Sequence, residues 1–221
     1  MFLKAVIFDL DGTILDTLAD LHAAMNFALK ENGYKEHSLE FIKNAIGNGV
    51  RELTRRSLPE HLQQDEAVVD SICAQMKAYY TEHWHVRTKP YEGIHELFRF
   101  LVQNGISVNV LSNKADPITQ KMVPYWYSDI HFDYIFGERT GVPTKPDPTS
   151  AKEIAGLLST EPDRILFVGD SAADMLAAKG AGMHSAGVLW GYRDETVLRA
   201  ASAEFIAQAP QNIISIVQNF K

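Results

Sequence analysis

Hydrophobic and polar positions along the chain fall into three regimes. Residues 3–8 form a short apolar run rich in β-formers, too short for a buried helix, which predicts a strand buried on both faces of a parallel sheet. Residues 15–85 repeat at helical spacing with no convincing strand among them. In residues 16–32, Leu18, Leu21, Met25 and Leu29 make one apolar face, with Asp16 or Thr17 as N-cap and Gly33 as stop. A second helix is expected over 38–46, broken by Gly47-Asn48-Gly49, and a third over 50–58, ended by Pro59. The longest, 65–84, lines up Val68, Val69, Ile72, Met76 and Tyr79-Tyr80. From Pro90 onward helices alternate with short β-branched runs. Helices are predicted over 94–104, from Pro117 to a stop or kink at Pro124, over 149–158, 172–181 and 211–218; strands over 106–111, 134–136, 165–168, 185–189 and, weakly, 204–206. Ser112-Asn113 closes the first of these strands, residues 141–148 read as a loop, and Gly169-Asp170-Ser171 follows the strand at 165–168.

Strand, helix, strand, repeated, implies an α/β fold: a doubly wound, Rossmann-like parallel sheet with right-handed crossovers. The helical block interrupts it after the first strand. The expected organisation is therefore a Rossmann-like core from residues 1–14 and 86–221 with an inserted all-helical cap at 15–85. Such an insertion leaves the sheet at the carboxyl end of the first strand, where it can act as a lid hinged at 14–16 and 85–90.

Composition narrows the picture. A chain of 221 residues with 46% hydrophobic positions can fill one large core, or a core with a sizeable insertion. A net charge of −7 argues against nucleic acid or an anionic membrane as partner. The single cysteine, Cys73, lies in an apolar-periodic segment and reads as a buried small hydrophobe. No apolar run is long enough to span a membrane, and no signal-peptide pattern precedes the first strand, so a cytoplasmic protein, monomer or homodimer, is expected.

The candidate chemistry sits where strands end. Asp9 follows the first strand, at the end of an α/β sheet where ligands bind, and Asp11-Gly12 follows at once. Alone, this pair is as well explained by a turn. Ser112 and Asn113 after the second strand, Lys145 in the loop, and Asp170 and Asp174 after the fourth bring further polar groups to the same crevice, and together they fit phosphoryl transfer. Clustered carboxylates repel one another unless a cation lies among them, and hard oxygen donors suit Mg²⁺, with Asp9 and Asp170 as the expected direct ligands. Asp9 can attack phosphorus, and Asp11 can protonate the leaving oxygen and later take a proton from water. Lys145, the Ser112 hydroxyl and nearby backbone N–H groups can hold the phosphoryl oxygens. Each piece has a bland reading as turn, rigid loop or helix N-cap; their joint appearance at successive strand ends favours a site.

Through Asp9-Leu10-Asp11-Gly12-Thr13, Ser112-Asn113, Lys145-Pro146 and Gly169-Asp170-Ser171-Ala172-Ala173-Asp174, the chain resembles the haloacid dehalogenase-like hydrolase superfamily over nearly its whole length. The resemblance implies Asp9 as nucleophile and Asp11 as acid/base, with Thr13, Ser112, Asn113 and Lys145 around the substrate phosphate. It also implies Mg²⁺ on Asp9, Asp170 and the Asp11 backbone carbonyl, with Asp174 holding a water of the cation. Dehalogenating members lack the second Asp of the first motif, so Asp11 points to phosphate chemistry. Residues 46–51, 141–148 and 187–192 look most like phosphoglycolate phosphatases. Around Gly49, cap N–H groups and the Arg51 guanidinium would then bind a small carboxylate; the alternative is that the glycines only join two helices and Arg51 is a solvated charge.

His22, His61, His83, His85 and His95 have no metal-ligand spacing and read as surface or packing residues. Trp84, Tyr79 and Tyr80 are expected in the cap core, and Trp126 with Tyr125 and Tyr127 against the sheet. The leading expectation is a Mg²⁺-dependent phosphatase for a small phosphate ester. The alternatives are a phosphosugar mutase resembling β-phosphoglucomutase, a pyrophosphatase or nucleotidase of the same superfamily, and a non-enzymatic phospho-acceptor module. The helical insertion argues against the last, because a lid that excludes water suits turnover of a small molecule.

Overall fold

The computed structural model of the chain describes residues 2–47 and 49–220. In chain order, β1 (Ala5–Phe8) is followed by a two-residue strand, β2 (Leu15–Asp16), and then by α1 (Leu18–Glu31), α2 (Leu39–Ala45), α3 (Gly49–Ser57) and α4 (Glu66–His83). A second two-residue strand, β3 (Lys89–Pro90), leads into α5 (Ile94–Gln103), β4 (Ser107–Ala115), α6 (Asp116–Trp126), β5 (Tyr134–Glu138) and α7 (Thr149–Leu157). The remainder is β6 (Ile165–Gly169), α8 (Ala172–Ala181), β7 (His184–Val188), α9 (Glu195–Ala200), β8 (Phe205–Ala207) and α10 (Pro210–Asn219). Two compact units result: residues 1–15 with 90–221, and residues 16–89.

The first unit is built on a six-stranded sheet of order β5-β4-β1-β6-β7-β8, its paired strands all parallel. The chain moves outward from β1 through β4 and β5, then returns to the other side of β1 to lay down β6, β7 and β8. That reversal makes β1 the switch point, where an open α/β sheet leaves a crevice at its carboxyl end. Ala5, Val6, Ile7 and Phe8 are all fully buried, as are Ile165, Leu166, Phe167 and Val168 of β6, which is why both strands are apolar without alternation. On one face Phe8 meets Phe98 of α5 edge-on at 5.1 Å, and Phe98 meets Tyr127 at 4.9 Å. On the other, Ile7 and Phe167 pack with Ile154 of α7 and Ala178 of α8.

Tyr127 is wholly buried and donates its hydroxyl to the Ile14 carbonyl at 2.6 Å. Replacing it with Phe keeps the ring and leaves that carbonyl only the longer bond from the Tyr91 N–H, at 3.4 Å. The expected cost is about 0.5–1.5 kcal/mol, read as a lower denaturant midpoint with unchanged far-ultraviolet circular dichroism.

The second unit is a helical block in which Ile42, Leu53, Val69, Ile72, Met76, Tyr80 and Trp84 are buried, together with Cys73. Ser38 and Asp65 cap α2 and α4 through their side chains. Tyr79 is only partly covered and stacks on Phe27 at 4.3 Å. Asp20, buried in the first turn of α1, accepts from the Arg87 and Thr88 N–H groups and from the Thr88 hydroxyl. These bonds tie residues 87–88 to α1, so the helical unit runs to residue 89 and not to 85.

Four other expectations change. The linkers on either side of the helical unit are not strandless, since β2 pairs with β3. Ser112 and Asn113 do not end their strand, because β4 continues to Ala115 through a register shift against β5 after Leu111. Tyr125 is 56% exposed and does not pack on the sheet, whereas Tyr127 does. The six-residue α9, too short to show a periodic face, was not expected at all. Among the described residues, no helix is long and apolar enough to cross a membrane.

Candidate active site

Strand register brings the functional side chains together. Phe8 is level with Val110 on one side and Val168 on the other, so the next residues of all three strands, Asp9, Leu111 and Gly169, open on the same edge. The loop that follows Asp9 is tightly wound: the Thr13, Ile14 and Leu15 N–H groups all turn onto the Leu10 carbonyl, and Gly12 donates to the Leu15 carbonyl at 2.9 Å. Gly12 has φ +86°, and a Cβ there would lie 2.4 Å from Asp170 Oδ2, so both the turn and the approach of Asp170 require glycine.

Lys145 is the hub. Its ammonium donates to Asp9 Oδ1, to Asp174 Oδ1 and to the Leu111 carbonyl, each at 2.7 Å, which uses all three of its N–H bonds. Asn113 fixes the lysine from behind: its Oδ1 accepts from Lys145 N–H and its Nδ2 donates to the Lys145 carbonyl, both at 2.8 Å. Asp174 Oδ2 closes a capping box on α8, accepting from the Ser171 N–H at 3.0 Å and its hydroxyl at 2.6 Å. Asp170 Oδ2 accepts from the Tyr192 N–H at 2.7 Å. Asp11 faces a different cation, Lys114, whose Nζ reaches its two oxygens at 3.0 and 3.1 Å.

Burial dominates the electrostatics. It pushes the Asp9 carboxyl up to about 7; Lys145 opposes the rise and Asp174 adds to it. Burial likewise raises Asp170 well above the ordinary carboxylate range, with Asp9 and Asp174 adding their repulsion. Burial pulls against the Lys145 ammonium, yet Asp174 and Asp9 hold it above its usual range. The crevice thus holds more negative charge than its lysine neutralises.

Asp9, Asp170 and Asp174 each present an oxygen within 4.8 Å of the others, all three buried. An all-oxygen set of this charge fits a hard divalent cation such as Mg²⁺. Asp174 already spends both oxygens on Lys145 and Ser171, which leaves Asp9 and Asp170 as the better placed pair.

The sequence pattern of the haloacid dehalogenase-like hydrolases matches residues 6–188, a span that runs from Val6 of β1 to Val188 of β7 and contains every one of these carboxylates and Lys145. The chain belongs to the haloacid dehalogenase-like hydrolase family. A phosphoglycolate phosphatase from Aquifex aeolicus is 31% identical over 217 residues, covering 98% of each chain. One from Nitrosospira multiformis is 35% identical over 195 residues, covering 87% of this chain and 86% of its own. Among solved structures, a candidate phosphoglycolate phosphatase from Lactobacillus delbrueckii subsp. bulgaricus superposes with a TM-score of 0.91 at 32% identity, covering 98% of this chain and 99% of its own.

In this hydrolase Asp9, Asp170, Asp174 and Lys145 share one buried cluster, and Asp11 sits beside it on Lys114. Ser112 is buried, with its Oγ accepting from the Lys114 N–H at 3.2 Å. Asn113, expected beside the substrate phosphate, has its side-chain amide engaged at both ends by the Lys145 backbone. Thr13 is fully buried, and its Oγ1 has no partner among the described residues. In the helical unit, Gly49 opens α3 with φ +80°. Arg51 is exposed and paired within the helical unit: it donates to Asp70 at 2.9 Å and also bonds Glu66. Glu66 is held down to about 2 by Arg55 and Arg51. Lys114 was missed, although it directly follows Ser112-Asn113; a lysine at a strand end carries no pattern that separates it from a surface charge.

Proposed function

We propose that this chain is a Mg²⁺-dependent phosphatase that hydrolyses 2-phosphoglycolate, or a closely similar small phosphate ester, through a phosphoryl-aspartate at Asp9. The observation that carries the reading is the three-way grip of Lys145 on Asp9 Oδ1, Asp174 and the Leu111 carbonyl, which fixes one oxygen of a buried carboxylate and leaves Oδ2 to attack. The substrate assignment rests on relatives of nearly equal length that bear that name.

Asp9 Oδ2 attacks phosphorus while the ester P–O bond breaks, and Asp11 gives its proton to the departing glycolate oxygen. Water then attacks the phosphorus of phospho-Asp9, Asp11 takes the water proton, and phosphate leaves with the carboxylate restored. Lys114 holds Asp11 in place for both transfers. The Ser112 hydroxyl and the Thr13 hydroxyl, which has no partner among the described residues, are the candidate donors to phosphoryl oxygens, while Lys145, with its three N–H bonds spent, orients Asp9. Asp9, Asp170 and the Asp11 carbonyl would hold Mg²⁺, which when bound offsets the charge of the acids and of the transferring group. The helical unit serves as the lid, and the protein works in the cytoplasm on a small molecule, as a monomer or homodimer without nucleic-acid or membrane partners.

The test is phosphate release with Mg²⁺ from a panel of 2-phosphoglycolate, pyrophosphate, nucleotides and hexose phosphates. The highest kcat/KM is expected for 2-phosphoglycolate. Conversion of a hexose phosphate to its isomer without free phosphate would assign a mutase instead.

The buried acids also set a pH dependence. Asp9 in the folded protein titrates near 7, against an ordinary value of 3.8, so between these values the folded state holds the proton more tightly than the unfolded state. Stability of the metal-free protein is therefore expected to fall as pH rises from about 4 to about 7, and the raised Asp170 acts in the same direction. Protons and Mg²⁺ compete for the same oxygens, so the rise in Tm on adding Mg²⁺ should be larger at pH 8 than at pH 6. An equal rise at both would contradict the assignment of these acids to the cation.

A further inference from the structure

The turn after β7 carries three residues, Trp190, Gly191 and Tyr192, that none of the chemistry above uses as side chains. Each touches the site. The Trp190 indole N–H donates to the Thr13 carbonyl at 2.9 Å, and Thr13 is fully buried. The Tyr192 N–H occupies Asp170 Oδ2 at 2.7 Å, which leaves Oδ1 as the oxygen for a cation. Gly191 lies between them, and a Cβ on it would fall 2.3 Å from Asp170 Cβ and 2.4 Å from the Gly12 carbonyl oxygen. The contact is reciprocal, since a Cβ on Gly12 would meet Asp170 Oδ2 at 2.4 Å and Tyr192 Cδ2 at 2.9 Å.

Three segments that are distant in sequence thus interlock: the Gly12-Thr13 loop that follows the nucleophile, Asp170 at the end of β6, and the turn at the end of β7. We propose that Trp190-Gly191-Tyr192 is a positioning element of the active site, which fixes the rotamer of Asp170 and the height of the Gly12-Thr13 loop against it, and so sets the spacing between Asp9 and Asp170. This rests on the reading of those two aspartates as cation ligands. The physical requirement is general: groups that ligate a cation act well only when hydrogen bonds from a surrounding layer hold their orientation. Here that layer is a backbone N–H and an indole, and the absence of a side chain at residue 191 lets both reach.

The experiment is calorimetric titration of Mg²⁺ into the metal-free full-length protein, for wild type, Gly191→Ala and Trp190→Phe, with kcat and KM for 2-phosphoglycolate measured alongside. Wild type should bind Mg²⁺. Gly191→Ala should weaken binding by about 10- to 100-fold and Trp190→Phe by about tenfold. Turnover should fall mainly in kcat, with substrate KM little changed, and should recover in part at high Mg²⁺. If Gly191→Ala fails to fold, Trp190→Phe, which keeps a ring in place and removes only the donor, decides alone. Folded variants with wild-type Mg²⁺ affinity and kcat would overturn the proposal and leave the turn a packing element, whatever their Tm. A wild type that binds no Mg²⁺ would instead overturn the cation-site reading, and the proposal with it.

Discussion

Replacing Asp9 with Asn is expected to lower phosphate release by on the order of 10⁴-fold or more, while leaving the metal-free protein at least as stable as wild type. The two effects have one origin. An amide of nearly the same shape can still accept from Lys145 through its oxygen, but it offers no anion to attack phosphorus. Burial already pushes the Asp9 carboxyl up to about 7, and Asp174 adds repulsion, so ionised Asp9 is a cost to the fold. Removing its charge removes that cost. A catalytic group that is strained in the resting protein is the usual form of the trade between stability and activity. Phosphate release and thermal unfolding at pH 8 without Mg²⁺ check both halves. Substantial activity in the variant would remove Asp9 as nucleophile, and a large fall in Tm would mean that its charge supports the fold.

Lys145→Ala is expected to be the most damaging single substitution in the site, costing about 3–5 kcal/mol of stability together with nearly all turnover. Lys145 is 4% exposed and its ammonium satisfies two buried carboxylates and the Leu111 carbonyl, all at 2.7 Å. Truncation leaves those acceptors in a poorly solvated crevice with no counter-charge, and the carboxylates must then take up protons or spread apart. Arginine should not rescue it, because a planar fork cannot place donors along three divergent directions as an ammonium does. The double variant Asp9→Asn, Lys145→Ala should lose less stability than the two single effects added, since the first change removes one of the charges that the second leaves unpaired. Urea denaturation at fixed pH measures both variants. A Lys145→Ala protein with wild-type midpoint would show that the cluster is neutralised by some other means.

Much of this was legible in the sequence, for identifiable reasons. β1 and β6 are buried on both faces, so their apolar runs stand out, and the acids that end them are conspicuous by contrast. The order of helices and short strands fixed the doubly wound topology. Contacts that depend on a single hydrogen bond carry no such periodic signal. Lys114 on Asp11, Asn113 on the Lys145 backbone and Asp20 on the Arg87 and Thr88 N–H groups join positions 103, 32 and 67 or 68 residues apart. The Trp190 indole reaches 177 residues back to Thr13. The pairing of Arg51 has no sequence signal for a related reason: Arg51 and Arg55 lie one turn apart on α3, as Glu66 and Asp70 do on α4, and only the packing of the two helices brings the pairs together.

The most direct test of the central claim is to trap the intermediate. Wild-type protein mixed with 2-phosphoglycolate and Mg²⁺, quenched within one turnover and reduced with borohydride, should yield homoserine in place of aspartate at position 9 in peptide mass spectra, with none at positions 11, 170 or 174. Steady release of phosphate with position 9 unmodified in every quenched sample, or with the label at another aspartate, would contradict the assignment of Asp9 as the residue that carries the phosphoryl group.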